Sequence, residues 1–238
     1  MLEQQWRGIA AQSDAVLLDG FHALKHAWRF GADVVLAVTS DKPAAIALTA
    51  KLAPDLVERA SAELIETDLS KLGIPVHPTS IAAWASRPAE PTWGGPRTAP
   101  VVLLDNPRHL GNVGAVIRLA AGMNATGVVT TGTLDPWHPN VVRASAGLHF
   151  ATAVARVSPQ ALPPGRLYCL DPDGADIREV TFPADAVLAF GSERHGISAQ
   201  VRGQADELVA VPMRPGVSSF NLATSVAMAL FHWMTRSG

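Results

Sequence analysis

From residue 101 onward the chain alternates apolar runs with loops and helical patterns, and that alternation constrains its fold more than any other feature. Residues 101–105, 127–131, 166–170, 186–190 and 207–211 read as strands. Residues 114–121, 140–147, 198–203 and 219–234 read as helices. Alternation of this kind predicts a mostly parallel sheet covered on both faces. Open parallel sheets put their ligands in the loops at the carboxyl ends of the strands, so those loops are where chemistry is expected.

The first half is organised differently. Strands are expected at 14–19 and 33–39, with a helix between them at 21–30 that carries Phe21, Leu24 and Trp28 on one face. Pro43 suits a helix start, and the helical pattern runs to about Leu69 with a break near Pro54. A short edge strand is expected at 74–77, and a short helix capped by Ser80 through Ala85. Residues 86–100 carry four prolines and the pair Gly94-Gly95 without apolar periodicity, which reads as a linker with Trp93 packing it onto a domain surface. Two domains follow, 1–88 and 97–238.

Nearly half the residues are apolar, enough for a substantial core, yet no run approaches the roughly 18 residues that span a bilayer. The single cysteine, Cys169, excludes an internal disulfide, and its strand-like setting marks it as buried filler. With Met1–Arg7 lacking a signal-peptide pattern, a cytoplasmic location and no membrane association are expected. Residues 1–96 hold 8 basic and 11 acidic side chains, a balance of −3; residues 97–238 hold 11 and 10, a balance of +1. All 11 of the latter are arginine, which reads either as base-composition bias in the gene or as guanidinium forks available for phosphates.

Four segments carry candidate chemistry. In 105–122 a turn containing Gly111, Asn112 and Gly114 opens a helix bearing Arg118. Gly111 and Gly114 are three apart, so the dinucleotide fingerprint G-x-G-x-x-G fails. In 188–198 an apolar strand ends in Gly191-Ser192-Glu193, with Gly196 following, a loop suited to aim a carboxylate or backbone at a ligand. In 209–234 a strand ends at Val211-Pro212-Met213, and Ser218, Ser219 and Asn221 then open a long apolar helix, as caps or as ligand contacts. In 135–150, Arg143, Ser145 and Gly147 offer a phosphate grip. His22 and His26 lack the carboxylate that would complete a zinc pattern, and no metal is expected.

Taken together, these residues resemble the SpoU (TrmH-type) branch of the SPOUT RNA methyltransferases over about residues 100–236. Asn112, Gly114 and Arg118 match the first motif; Gly191, Glu193 and Gly196 the second; Val211-Pro212-Met213 with Ser219-Phe220-Asn221 the third; and Arg143, Ser145 and Gly147 the Arg-x-Ser-x-Gly between them. Phe220 replaces the usual Leu and Val211 the usual Ile, while Arg194 and His195 stand where smaller residues are common. The N-terminal half is similar, through Asp19-Gly20 and the helix from Phe21, to the L30e-like domain of several family members.

The resemblance implies an α/β fold in which a trefoil-knotted, mostly parallel catalytic domain follows a smaller L30e-like RNA-binding domain. It implies S-adenosylmethionine as methyl donor, held by Thr130, Thr131, Gly132, Gly191, Val211, Pro212, Met213 and Phe220. The catalytic set it implies is Asn112, Arg118, Glu193, Ser219 and Asn221, with Arg143 and Ser145 on RNA. The implied reaction is methylation of a ribose 2′-hydroxyl in RNA, ribosomal rather than transfer RNA, by a homodimer joined through the last helix. A tRNA 2′-O-methyltransferase, or an RNA-binding relative without activity, are the other readings.

Overall fold

A computed structural model describes residues 1–74, 77–192 and 194–236. By contacts the chain divides into two units: Met1–Ala89 with Ala146–Ala151, and Glu90–Ser145 with Thr152–Gly238.

In the first unit, α1 (Leu2–Ala10) precedes β1 (Ala15–Asp19), α2 (Phe21–Arg29), β2 (Val34–Thr39), α3 (Lys42–Leu52), α4 (Val57–Glu63), β3 (Leu64–Glu66) and β4 (Ile81–Ser86). The sheet order is β1-β4-β2-β3, with β4 antiparallel to β1 and β2, and β2 parallel to β3. Phe21, Leu24 and Trp28 of α2 are buried, as their helical spacing requires. Trp6 of α1 packs at a tilt of 52° against Trp84 of β4, with 5.3 Å between ring centroids, in a cluster with Leu36 and Val38. Asp41 caps α3 by accepting from the amide of Ala44 at 2.9 Å.

Several expectations are corrected here. The helix expected to reach Leu69 stops at Glu63, and Leu64–Glu66 pairs with β2 instead. The expected helix after Ser80 is the interior strand β4. Its five residues 81–85 are all buried, and a short apolar run buried on all sides lacks the polar face that would mark a surface helix. Ser80 caps nothing: its φ is 49°, and its carbonyl accepts from Thr39 Oγ1 at 2.8 Å. The strand expected at 74–77 includes Pro75 and Val76, which lie outside the described residues; Ile74 and His77 belong to no strand. Helix α1 adds an element that no expectation covers, with Trp6 and Ile9 buried.

The second unit contains β5 (Val101–Leu104), α5 (Leu110–Gly122), β6 (Gly127–Thr130), α6 (Pro139–Ala144), β7 (Ala153–Arg156), β8 (Leu167–Asp176), β9 (Val187–Phe190), α7 (Ala199–Arg202), β10 (Glu207–Ala210) and α8 (Leu222–Arg236). Its six strands are all parallel, in the order β10-β8-β9-β5-β6-β7. β5, β6 and β9 are buried at every position, which is why they read as unbroken apolar runs rather than alternations. Each fully buried Val or Leu contributes about 1.5–3 kcal/mol. Trp93 packs against this core from a segment without regular structure. Strand β7 is four residues of Ala, Val and Arg, too short for its pattern to mark it as a strand.

The chain runs outward from β5 through β6 and β7, then returns to build β9, β8 and β10 on the other side. The reversal of order beside β5 opens a crevice at the carboxyl ends of β5 and β9, the place such sheets bind ligands. Strand β8 is interrupted there. Leu208 pairs with Cys169 but Val209 with Ala175, so residues 170–174 leave the ladder and join the carboxyl edge. Gly174 returns the chain against β10, where a Cβ would lie 2.3 Å from the Val209 amide nitrogen. Among the described residues no helix is long and apolar enough to cross a membrane.

Candidate active site at the carboxyl edge of the parallel sheet

Asp105, one residue beyond β5, ties the edge together. It is buried; Oδ1 accepts from Thr131 Oγ1 at 2.5 Å and Oδ2 from the amide of Ser198 at 2.6 Å. Thr131 Oγ1 also accepts from the amide of Asn106 at 2.9 Å. One carboxylate thereby fixes the ends of β5 and β6 and the loop that follows β9. Gly132 completes the corner at φ +80°, with Asn106 Oδ1 2.5 Å from where its Cβ would sit. Asp105 and Ser198 were not singled out in the sequence. The available signal was an ionisable residue closing an otherwise apolar strand.

After β9, Gly191 is required by sterics: a Cβ there would lie 2.0 Å from the carbonyl carbon of Gly196. Ser192 and Gly196 exchange two backbone hydrogen bonds of 3.0 Å, closing a tight loop whose Gly196 has φ +64°. Arg194 and His195 are exposed on this loop. Glu193, expected to be catalytic, lies outside the described residues.

A cavity of about 610 Å³ opens beside this loop. Gly191, Val211, Met213, Ser219, Phe220 and Asn221 line it, together with Asp171 and Arg194. Four of the eight expected cofactor residues, Gly191, Val211, Met213 and Phe220, therefore share one wall. Pro212 is not in the lining. Thr130 and Thr131 are buried at the end of β6; Thr131 braces Asp105, and Thr130 Oγ1 has no hydrogen-bond partner among the described residues. Asp171 is held by Arg202 of α7 at 3.1 Å.

Helix α5 starts at Leu110, not at Gly114, so Asn112 and both motif glycines lie inside its first turns. Gly114 lets α6 cross, because a Cβ there would lie 2.5 Å from Ala144 Cβ and 2.6 Å from the Val141 carbonyl oxygen. Arg118 is one turn further along the same face and is exposed, eight residues from the helix start or about 12 Å at 1.5 Å per residue. It is not in the lining of the cavity. Asn112 Oδ1 accepts from Asn221 Nδ2 at 3.3 Å, joining the first and third motifs. Asn221 Oδ1 meanwhile caps α8, accepting from the amide of Ala223 at 2.9 Å. α8 itself starts at Leu222, leaving Ser218–Asn221 as cavity wall rather than helix.

Arg143 is exposed on α6, and its Nη2 donates to Asn140 Oδ1 at 3.2 Å. Ser145 is fully buried and its hydroxyl donates to the Val142 carbonyl at 2.9 Å, so it secures the end of α6 and offers no surface for a phosphate. The division between the two units falls just after it. Gly147, at φ +74°, packs where a Cβ would lie 2.5 Å from the Ala23 carbonyl oxygen. Cys169 is fully buried, and desolvation pushes its thiol up to about 12, with Asp105 adding to the shift.

The arrangement is that of an α/β protein with a small-molecule cavity at the carboxyl ends of β8, β9 and β10 in a parallel sheet, walled by glycine-shaped loops and rimmed by amide and guanidinium side chains. A model of the SpoU rRNA Methylase family matches residues 99–231, and the chain belongs to that family. It is 34% identical over 149 residues to a 23S rRNA (adenosine(1067)-2′-O)-methyltransferase of Streptomyces laurentii, a match covering 55% of this chain and 52% of the relative. It is 32% identical over 144 residues to a 23S rRNA (uridine(2479)-2′-O)-methyltransferase of Streptomyces viridochromogenes, covering 55% and 50%. The chain thus spans about half the length of these relatives. The crystal structure of the SpoU methyltransferase AviRb from Streptomyces viridochromogenes, in complex with AdoMet, superimposes with a TM-score of 0.78 at 24% identity, over 100% of this chain and 99% of that one. That likeness establishes the shared fold.

Proposed function

We propose that this protein methylates a ribose 2′-hydroxyl of RNA, ribosomal rather than transfer RNA, with S-adenosylmethionine as donor. The observation that carries this reading is the Asn112–Asn221 hydrogen bond, which brings two separate sequence motifs together at the wall of the cavity. The S. laurentii and S. viridochromogenes relatives, both 23S rRNA 2′-O-methyltransferases, support the choice of ribosomal RNA.

The residues present fit the donor. A volume of about 610 Å³ falls within the roughly 300–1,000 Å³ of small-molecule sites. Along the cavity wall, the amides of Met213, Ser219 and Phe220 have no backbone partner among the described residues, leaving an open hydrogen-bonding edge for a polar heterocycle. Gly191, Val211, Met213 and Phe220 would hold the donor, which when bound supplies a methyl group activated by a sulfonium.

The protein's part is then alignment and handling of one hydroxyl proton. Arg118 meets the substrate from outside the cavity, which suits a group that contacts RNA rather than cofactor. A guanidinium keeps its proton above pH 12, so Arg118 orients a phosphate and stabilises the developing alkoxide. Asn112 and Asn221 position one another at the cavity rim, with Ser219 beside them, and Glu193 completes the set. Arg143 contacts RNA from α6. The unit containing the N-terminal residues serves as an L30e-like RNA-docking domain, and the parallel-sheet unit carries the family's trefoil threading. Two copies pair through α8, covering the exposed Phe231 and Met234.

The test is incubation with labelled S-adenosylmethionine and unmodified rRNA and tRNA, separately, followed by identification of the labelled nucleoside by mass spectrometry. The expected product is a 2′-O-methyl nucleoside in the rRNA pool. Label in tRNA alone would move the substrate. No label in either pool, with donor binding intact, would leave a binding protein.

A further inference from the structure

Three arginines occupy equivalent places along the carboxyl edge of the parallel sheet. Arg108 lies four residues past Leu104, the last of β5; Arg194 four past Phe190, the last of β9; Arg214 four past Ala210, the last of β10. All three are exposed, and none of their side chains makes an ion pair or hydrogen bond among the described residues. Three other guanidinium groups of the same unit are ion-paired: Arg166 with Glu207 at 3.1 Å, Arg178 with Asp176 at 2.5 Å and Arg202 with Asp171 at 3.1 Å. Among the described residues two carboxylates beside the edge are already engaged, Asp105 with Thr131 and Ser198, and Asp171 with Arg202. Among the described residues the three guanidinium groups of this edge thus stand without a carboxylate partner, the pattern of a surface awaiting polyanion.

The strand order β10-β8-β9-β5 separates the outer two of these loops by three inter-strand steps, about 14 Å at about 4.8 Å each. That span is too wide for one small anion and suits a continuous phosphate chain. The Arg194 loop lies between them and lines the cavity. We infer that Arg108, Arg194 and Arg214 form a phosphate-gripping rim, along which a single strand of RNA runs from β10 to β5 and presents one ribose to the cavity. A single strand is required because its nucleotides can be splayed out, whereas an A-form duplex holds them stacked. This rests on the RNA-methylating reading above and adds the path of the substrate.

The experiment measures affinity for fluorescein-labelled single-stranded RNA against salt concentration for wild type, Arg108→Gln, Arg214→Gln, the double variant and Arg166→Gln, with melting temperature and S-adenosylmethionine affinity recorded for each. Each lost phosphate contact lowers the slope of log K against log salt by about 0.7. Arg108→Gln and Arg214→Gln are expected to bind RNA several-fold more weakly with slopes reduced by about 0.7 each. The double variant should lose both increments, and Arg166→Gln should match wild type. Wild-type slopes in Arg108→Gln and Arg214→Gln, in protein whose wild type methylates rRNA, would overturn the rim alone. A wild type that neither binds RNA at low salt nor methylates would overturn both readings. Competition by inorganic pyrophosphate as strong as that by RNA of equal phosphate content would replace the rim with a compact anion site.

Discussion

Arg118 is exposed and outside the cavity wall, so its removal separates chemistry from donor binding. Arg118→Ala should lower methyl transfer at least about a hundredfold, the usual loss for one transition-state charge partner. Calorimetry should find S-adenosylmethionine bound as in wild type; a lost donor site would refute the role. Cys169 gives a second prediction. Burial raises its thiol from 9.0 to about 12, so the protonated form is favoured in the folded state. The stabilisation is complete below pH 9 and is lost as pH rises from 9 to 12. Native protein at pH 8 should resist iodoacetamide while urea-unfolded protein reacts. The alkaline fall in stability should be shallower in Cys169→Ala. The lone strand cysteine was legible as filler from its apolar neighbours. The bracing by Asp105 was not, because its partners Thr131 and Ser198 lie 26 and 93 residues away and no local pattern announces them.

At the scale of elements, the start of α8 serves two purposes through one side chain. Asn221 Oδ1 caps the helix while Nδ2 donates to Asn112. Asn221→Asp keeps the cap and places negative charge at a helix N-terminus, where it is favourable, yet it removes the donor. Its melting temperature should equal or exceed that of wild type, with methyl transfer about tenfold lower, the equivalent of roughly 1.4 kcal/mol. Asn221→Ala should lose both, with stability down by about 1 kcal/mol. Equal activity in Asn221→Asp and wild type would remove the Asn112 contact from the mechanism. β5, β6 and β9 were legible because a parallel sheet buried on both faces writes such strands as apolar runs bounded by turn residues. β3 and β4 were not. Leu64–Glu66 follows α4 without glycine, proline or a capping side chain, and Ile81–Ser86 is too short for helical and extended periods to differ. Only pairing with β2 and β1 decides them, and pairing is non-local.

At the scale of the whole molecule, every residue lining the cavity belongs to the unit Glu90–Ser145 with Thr152–Gly238. The remaining segment, Ala146–Ala151, packs with the N-terminal residues instead. There Gly147 sits against the Ala23 carbonyl, His26 Nδ1 donates to the Ala146 carbonyl at 2.7 Å, and His149 is buried. Ala146 and Gly147 both hold positive φ, of 55° and 74°, a geometry that an alanine adopts only when its surroundings impose it. A fragment of residues 97–238 therefore keeps the donor cavity but leaves Ala146–Ala151 without the α2 surface that holds it. Such a fragment should bind S-adenosylmethionine with affinity close to that of the full chain. Exchange of the amides of 146–151 with deuterated water should be faster than in the full chain, since local stability there came from the missing residues. Methylation of rRNA should fall at least about tenfold, reflecting roughly 1.4 kcal/mol or more of lost RNA contact. The two readouts separate two roles for the N-terminal residues. Fast exchange with full activity would make them a support for Ala146–Ala151 alone. Weak activity that saturating rRNA restores would make them the docking domain, because added substrate replaces lost affinity and cannot replace lost catalytic geometry.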